Sequence, residues 1–443
     1  MSSQKSTGFP WAAFVALAFG MIVFGLAESY GPLASITEII PSNLAWLGYS
    51  IPYIFGGIGA LFAGYLADKL GRKSSFMLSS AIVLVGMLLY LPIWIGTVSG
   101  ILKVVDIIIS MALVGMAAIG LESPVLAMIA ESVSSEHRSK LLVITPNFGN
   151  LGVALAYVPL LIFGLNSARA YAANYELALL LMFIAPVIGL ILAWLKASET
   201  LPWKAVKTSN NIEEAWKKID NTSQTVNPTG GLGLRFATLI LLGITQDVAF
   251  TYITYGAPGA YFSNISSLVP LLGGFIMVVV GIIAGLTLSA KVGRKSFTLM
   301  SFGSLAVLWG ALWGIALAVH MSASSLILAM FALLMIPVEL TWAARALLEP
   351  ELFPTHRRGL YVSVVRAVVW ISAGVITGLL ILLSPPFTIG ALSMMIVSIV
   401  GIVASLAWYL KGFETKNRNL LGLDINISKP SIIVQSNPDP KDK

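Results

Sequence analysis

The sequence predicts an all-α polytopic membrane protein whose twelve transmembrane helices form two pseudo-symmetric six-helix bundles. Of its 443 residues, 57% are hydrophobic and only 11% are charged, whereas a soluble domain carries about 25% charged residues. The chain contains twelve apolar runs of roughly the 20 residues that a membrane-spanning helix needs. One pattern of charged residues also occurs twice, 220 residues apart. These observations indicate a duplicated chain whose main solvent is lipid.

The twelve runs divide the chain into two bundles and two polar segments. Residues 1–197 are predicted to form the N-terminal bundle and 235–411 the C-terminal bundle, with a linker at 198–234 and a tail at 412–443. Apolar residues at helical spacing from 212 to 219 predict a short amphipathic helix in the linker. The tail, which contains three prolines, is expected to be disordered from about residue 420. The predicted spans are residues 11–36, 44–67, 74–96, 104–130, 141–165, 175–197, 235–260, 267–289, 296–320, 324–348, 359–383 and 388–411.

The distribution of Lys and Arg predicts the orientation in the cell membrane. With the N-terminus inside, 23 of the 27 basic residues lie on the cytoplasmic side, as the positive-inside rule requires. Both termini are therefore expected in the cytoplasm. Arg345 and Arg366 fall within spans. Arg345 lies close enough to the end of its span that we expect its side chain to reach the membrane surface.

Composition excludes several classes of site. Without cysteine there is no disulfide, thiolate metal ligand or Cys nucleophile, and the three histidines lie far apart in sequence. The basic residues are scattered between apolar runs, which argues against nucleic acid as a partner. No constellation typical of an enzyme is present. We therefore expect a protein that is no enzyme and holds no metal or cofactor.

Several short motifs resemble those of the major facilitator superfamily. The chain reads GYLADKLGRK at 64–73 and LTLSAKVGRK at 286–295, and it repeats a Glu followed seven residues later by Arg at 131–138 and 351–358. SETLPW (198–203) and FETKNRNL (413–420) resemble the segments after helices 6 and 12 of sugar-porter-like members. The resemblance covers roughly residues 10–420. It implies a secondary transporter that works by alternating access, without a cofactor and with a proton gradient as the energy source. We accordingly expect a monomer whose partners are membrane lipids, protons and a small-molecule substrate.

The repeated loops are interpreted as a cytoplasmic gate. An Asp can accept hydrogen bonds at the N-terminus of a neighbouring helix, and the loop arginines can form ion pairs with the loop glutamates. Such contacts form when the cytoplasmic side closes and break when it opens. The alternative is that Arg72 and Lys73 only anchor the chain at the membrane surface. The predicted gate residues are Gly64, Asp68, Gly71, Arg72, Lys73, Glu131, Arg138, Gly293, Arg294, Glu351 and Arg358.

Acidic side chains inside the predicted spans are candidates for proton coupling, because a charge there costs at least about 2.5–3.5 kcal/mol. Glu122, in GLESPVLAMIAE, resembles the helix 4 acid of proton-coupled phosphate and metabolite symporters and is the favoured proton site. The alternative is a structural carboxyl bonded to a neighbouring helix. Glu28 and Asp247, 219 residues apart and symmetry mates in the repeat, are predicted coupling or cavity acids.

Arg366 has two interpretations. As a buried and permanently charged group it needs an anion: either a protein acid such as Glu339, Asp247 or Glu122, or an anionic substrate. Polar and aromatic residues on neighbouring spans complete the predicted substrate site, which consists of Arg366, Asp247, Gln246, Asn147, Asn150, Tyr252, Glu339 and Trp342.

The sequence therefore predicts proton-coupled symport of a small polar metabolite. The buried arginine favours an organic anion or phosphate, while the loop motifs favour a sugar or polyol. A proton-coupled exporter remains an alternative. A nutrient sensor on a transporter fold is the alternative from a different class.

Overall fold

The computed structural model describes residues 11–164, 168–208, 210–220, 222, 224–318 and 325–428. Within these residues twelve helices are long and apolar enough to cross a membrane, as predicted. They are α1 Trp11–Ile36, α2 Ser42–Lys69, α3 Arg72–Ile93, α4 Gly100–Ser132, α5 Ser135–Phe163, α6 Ala172–Lys196, α7 Leu232–Tyr261, α8 Leu268–Lys291, α9 Arg294–Ala318, α10 Ser325–Glu351, α11 Thr355–Leu383 and α12 Phe387–Lys411.

The spans are helical because lipid offers the backbone no hydrogen-bond partner, so each span must satisfy its own amide groups. Among the described residues, two spans of the second half contain a π-helical turn. Tyr252–Gly256 in α7 and Ala284–Leu288 in α8 each form a π-helical turn. A π turn takes in one more residue than an α turn, and such turns are frequent at functional sites.

The two halves meet along two main helix pairs. Across the boundary α2 packs against α11 and α5 packs against α8, while α4 and α10 add smaller contacts. Glycines allow the close approach: a Cβ on Gly57 would lie 2.7 Å from the carbonyl oxygen of Ala367, and one on Gly274 would lie 2.8 Å from the amide nitrogen of Ala154. We call the end of the bundle at which α2 ends and α3 begins the linker face, and the other end the opposite face.

The linker contains two short helices, Leu201–Lys207 and Ile212–Ile219. The second confirms the predicted amphipathic helix. Asn211 accepts hydrogen bonds from the Glu213 and Glu214 amides at its start, which satisfies two of the free N–H groups of the first turn.

The tail does not begin in the way that its composition predicts. Leu421–Ser428 is a helix, so the expectation of disorder from about residue 420 is wrong for these residues, while 429–443 lie outside the described ones. The Asp424 carboxylate accepts hydrogen bonds from the Thr355 amide at 2.7 Å and from the Trp216 indole at 3.0 Å. Composition cannot show such long-range partners.

Asp220, at the end of the second linker helix, binds the start of α5 in the first half as Asp424 binds the start of α11 in the second. Its carboxylate accepts hydrogen bonds from the Ser135 amide at 2.9 Å and from the Thr222 amide at 3.0 Å. Burial opposes the charged form, but these hydrogen bonds prevail and lower the pKa of Asp220 below its usual range. Asp220 and Asp424 thus tie the linker and the tail to the starts of α5 and α11.

We expect Asp220→Asn to lower the free energy of unfolding by about 1–3 kcal/mol at neutral pH, because two N–H groups lose a charged acceptor. A lowered pKa stabilises the fold above the pKa of the unfolded state, and this stability is lost as pH falls through the folded value. The variant and the parent should therefore converge only when pH falls below the folded-state pKa, which lies under the usual Asp value of about 3.9. Thermal unfolding in detergent against pH measures this.

Glu213→Gln is the matched control, because Glu213 forms only an exposed pair with Lys217. Such pairs contribute at most about 1 kcal/mol. Equal melting of Asp220→Asn and parent at neutral pH would contradict the assignment.

Candidate functional site

At the linker face, Glu131 at the end of α4 joins the two halves through one buried carboxylate. It accepts hydrogen bonds from Arg72 of its own half, at 3.0 and 3.3 Å, and from Arg358 of the other half, at 2.7 Å. All three side chains are fully buried. Arg72 also donates to the carbonyl oxygen of Thr355 across the boundary.

The second half repeats the arrangement. Glu351 at the end of α10 accepts from Arg294 of its own half, at 2.9 and 3.0 Å, and from Arg138 of the first half, at 3.0 Å. The predicted ion pairs between the loop arginines and glutamates are therefore present. Since each glutamate is shared by one arginine from each half, the linker face is closed.

Four residues of this cluster are missing from the prediction. Thr200 and Thr415 donate their hydroxyls to Glu131 and Glu351, while Glu199 and Glu414 accept from the amides that begin α3 and α9. The signal was present in the sequence: the dipeptide Glu-Thr occurs after the sixth span and again after the twelfth.

Asp68 breaks the symmetry of the linker face. Its carboxylate bonds Arg72 at 2.5 Å and accepts from the amides of Gly359 and Leu360 at 3.0 and 2.8 Å, at the start of α11 in the other half. This confirms the expected contact with a neighbouring helix N-terminus. Ala290 occupies the corresponding place in the second half, and its side chain offers no hydrogen-bond acceptor. The contact between α2 and α11 therefore contains a carboxylate at a helix N-terminus, whereas Ala290 cannot provide one between α8 and α5.

The predicted loop glycines and lysine shape the same region. Gly71 has a φ of 114°, a conformation that favours glycine. A Cβ on Gly64 would lie 2.4 Å from the carbonyl oxygen of Gly359, and one on Gly293 would lie 2.7 Å from the Glu414 carboxylate. Lys73 donates to the carbonyl oxygen of Ala197. These residues let the backbones approach or hold the loops.

Midway between the faces, the two halves enclose a small cavity of about 10 Å³, roughly the space that one water molecule needs. This is below the roughly 300–1,000 Å³ of typical ligand pockets. The side chains are contributed by both halves, from α1, α4, α7, α10 and α11. They are Phe24, Glu28, Glu122, Gln246, Asp247, Phe250, Trp342, Arg366 and Trp370.

Arg366 forms an ion pair with Glu122 of the other half. Its Nη2 also lies 2.7 Å from Oε2 of Glu349 on α10, without hydrogen-bond alignment. Trp342 donates its indole N–H to Glu122 at 3.2 Å. The structure thus shows the first interpretation of Arg366, in which it pairs with protein acids. One of these acids, Glu349, was missing from the prediction.

Arg345 is not at the membrane surface. It is buried at 1% exposure, pairs with Asp247 at 2.9 Å and Glu349 at 3.0 Å, and also hydrogen-bonds Gln246. The prediction that it reaches the surface is wrong, because three buried acceptors lie within its reach on α7 and α10. Glu349 therefore contacts both arginines and joins them into one network.

Glu28 is the exception among the cavity acids. It is 4% exposed, and no described Lys, Arg or His lies within ion-pair distance of its carboxylate, whereas Glu122, Asp247 and Glu349 each have an arginine there. Among the described residues, the cavity and the arginine network beside it thus contain two arginines and four carboxyl groups.

Four predicted site residues do not line this cavity. Glu339, Asn147 and Asn150 form a separate cluster where α5, α8 and α10 meet. The Tyr252 ring lies 6.2 Å from that of Trp309, and a Cβ on Gly390 of α12 would touch its hydroxyl. Tyr252 therefore faces the interior of the second half.

The opposite face is closed as well. Ser29 of α1 and Tyr255 of α7 share a hydrogen bond of 3.1 Å, and Ser50 of α2 donates to the Gly374 carbonyl oxygen of α11 at 3.0 Å. Both contacts cross between the halves. The cavity is therefore shut off from both faces.

This arrangement is that of a membrane transporter built from two half-molecules around a central cavity. The chain belongs to the Major Facilitator Superfamily, whose profile matches residues 9–377. The fold and family are those of transporters, not of enzymes, and the chain is an integral membrane protein.

Several known proteins are similar. The arabinose-proton symporter of Escherichia coli (strain K12) is 25% identical over 331 residues, which is 66% of each chain. Among solved structures, the proton:xylose symporter XylE bound to 6-bromo-6-deoxy-D-glucose aligns with a TM-score of 0.74 at 18% identity, covering 94% of this chain and 99% of that one. The human organic anion transporter MFSD10 aligns with a TM-score of 0.61 at 14% identity, covering 91% and 99%. The overall fold is thus shared with these structures.

We expect Glu131→Gln and Glu351→Gln each to open the linker face. Among the described residues, Glu351→Gln leaves the buried Arg138 and Arg294 without a charged partner. Glu131→Gln leaves Arg358 without one, while Arg72 keeps its pair with Asp68. Removing one partner of a buried pair costs about 3–5 kcal/mol. The natural absence of cysteine allows Ser363→Cys, at a buried contact with Ser123 of the other half, to report opening through its rate of modification by a polar maleimide.

The modification rate should rise tenfold or more in both variants. A tenfold rise corresponds to a change of about 1.4 kcal/mol in the free energy of opening. Glu136→Gln, at an exposed residue in the first turn of α5, is the control and should leave the rate unchanged. Unchanged rates in both gate variants would show that the clusters do not hold this face shut.

Proposed function

We propose that the protein is a secondary active transporter that couples the uptake of a small neutral sugar or polyol to protons by alternating access. One observation carries the proposal. Arg366 in the cavity and Arg345 beside it are both held by protein carboxylates, while Glu28 lies in the same cavity with no described cation at ion-pair distance.

The charges of the cavity support a neutral substrate. Four carboxyl groups against two arginines leave an excess of acid, so an incoming anion would meet repulsion and would have to displace Glu122 or Glu349 from Arg366. A neutral polyol meets no such cost. Trp342, Trp370 and Phe24 offer flat apolar surfaces, and Gln246 and the carboxylates offer acceptors for hydroxyls. The similarity to an arabinose-proton symporter favours the same substrate class over the organic anion or phosphate.

The same charges favour Glu28 over Glu122 as the proton carrier. Glu122 has an arginine and an indole N–H as partners, which stabilise its carboxylate. A buried carboxyl without a counter-charge is most stable when neutral. Binding of a proton to Glu28 would remove the uncompensated charge, so the proton and a neutral substrate can share the cavity. The proton gradient is then the energy source, and no cofactor takes part.

In this proposal the linker face is the cytoplasmic face, as the distribution of Lys and Arg predicts, and the Glu131 and Glu351 clusters are the cytoplasmic gate. The closed structure is then an occluded state between outward-open and inward-open forms. The protein would act as a monomer, since one chain encloses the whole cavity.

Ligand screening tests the substrate class. We expect the purified protein to melt at higher temperature with D-xylose, L-arabinose or another small sugar, and not with phosphate or succinate. A ligand at 100 times its Kd stabilises by about 2.7 kcal/mol. Stabilisation by the anions alone, lost in Arg366→Ala, would replace the sugar with an anionic substrate.

Transport in proteoliposomes tests the proton site. We expect Glu28→Gln to abolish accumulation of the identified sugar driven by a proton gradient while keeping its binding and its exchange between the two sides, because the amide mimics the protonated acid. Glu176→Gln, at an exposed position on α6, should behave like the parent. Gradient-driven accumulation by Glu28→Gln would rule out Glu28 as the carrier.

A further inference from the structure

Glu339 is a second buried carboxyl with no described cation at ion-pair distance, and it lies outside the central cavity. Its side chain is 1% exposed. The contact that the structure shows is a hydrogen bond of 2.6 Å from the Asn150 amide to Oε2. Asn150 belongs to α5 in the first half and Glu339 to α10 in the second. The bond therefore crosses the boundary between the halves.

Asn147 extends this bridge to a third helix. Its Oδ1 accepts a hydrogen bond from Asn150 at 2.8 Å, and its amide donates to the carbonyl oxygen of Val278 on α8 at 2.8 Å. A Cβ on Gly281 would lie 2.4 Å from Glu339 and 2.5 Å from Asn147, so the two polar side chains lie against the α8 backbone. We call Glu339, Asn147 and Asn150 the seam cluster.

The titratable groups around the seam cluster are held elsewhere. The acid on α4 is Glu122, about one turn nearer the linker face, and it is bound by Trp342 of α10 and Arg366 of α11. The acid on α7 is Asp247, which is bound by Arg345. The basic residues of α8 and α9 and most charges of α5 lie at the linker-face ends of these helices. The described residues therefore provide Glu339 with amide and backbone groups but no counter-charge.

We propose that Glu339 is a second proton-binding site, which holds the two halves together along α5, α8 and α10 only while its carboxyl is protonated. A neutral carboxyl accepts the Asn150 N–H through its carbonyl oxygen and adds no charge to a dry contact. An ionised carboxyl between apolar helices without a cation is costly. Its charge is relieved when the halves separate and water reaches it.

The direction of the effect follows from these two states. Protonation favours the closed contact, and loss of the proton to water favours the separated one. Raising pH should therefore shift the protein from closed to open, by up to about tenfold in the ratio per pH unit for one group. This inference goes beyond the proposed function, because it requires neither a substrate nor a gradient.

The test measures the distance between the halves. Spin labels at Lys69→Cys on α2 and Lys291→Cys on α8, both exposed at the linker face, report separation in the full chain in nanodiscs without substrate. All samples carry Glu28→Gln, so that titration of the central cavity does not contribute. We expect the open fraction to rise as pH is raised.

Two variants decide the assignment. Glu339→Gln keeps an acceptor for Asn150 but cannot lose a proton, and it should stay closed at every pH. Asn150→Leu removes the bridge but keeps the carboxyl, and it should raise the open fraction at every pH. Glu176→Gln is the control and should titrate like its parent.

Two results would overturn the proposal: a pH response that survives unchanged in Glu339→Gln, or an open fraction that does not vary with pH in the parent. If Glu339→Gln does not fold, Asn150→Leu decides alone, and an open fraction equal to the parent's refutes the bridge. Because every sample lacks the Glu28 carboxyl, these outcomes are independent of whether Glu28 drives transport.

Discussion

The closed structure depends on two buried carboxylates, Glu131 and Glu351, each shared between arginines of opposite halves. A buried arginine cannot lose its charge, and a buried ion without a partner is strongly destabilising. Neither half can therefore bury its loop arginines completely without the acid of the other. Separation of the halves must hydrate these groups or supply other partners. This requirement makes the linker face a two-state contact rather than a continuously deformable one.

The arginines near the central cavity also need acidic partners, and there they share one glutamate. Arg345 and Arg366 both contact Glu349, which lies two residues before Glu351 on α10. One end of this helix thus carries a ligand of the central network and the core of a loop cluster. Only Pro350 separates Glu349 from Glu351, so a change in the partners of Arg366 that draws on Glu349 acts close to Glu351. The link between cavity and gate is therefore short and runs through α10.

Much of the fold was predictable, because lipid imposes long apolar helices and a duplication repeats them. The loop ion pairs were predictable because both copies preserve their spacing. The partners of Arg345, Glu349 and Asp424 were not, since they depend on helix rotation and on contacts between distant segments. Periodicity shows that a residue lies in a span but not which neighbour it faces. For the same reason Glu339 and Tyr252, both predicted in the substrate site, lie elsewhere.

The π turns of the second half account for part of a difference in spacing between the halves. The offset between equivalent residues grows from 219 at Glu28 and Asp247 to 222 at Arg72 and Arg294. The π turns of α7 and α8 lie between these positions, and each adds one residue, which accounts for two of the three additional residues.

A further asymmetry concerns the contacts of the fourth helix of each half with the fifth helix of the other. Between α4 and α11, Glu122 contacts Arg366. Between α10 and α5, Glu339 contacts Asn150, and this contact lies about one helical turn from the position that strict symmetry would give it. The first contact carries its own counter-charge and the second does not, so only the second must gain or lose a proton as its surroundings change from dry to wet.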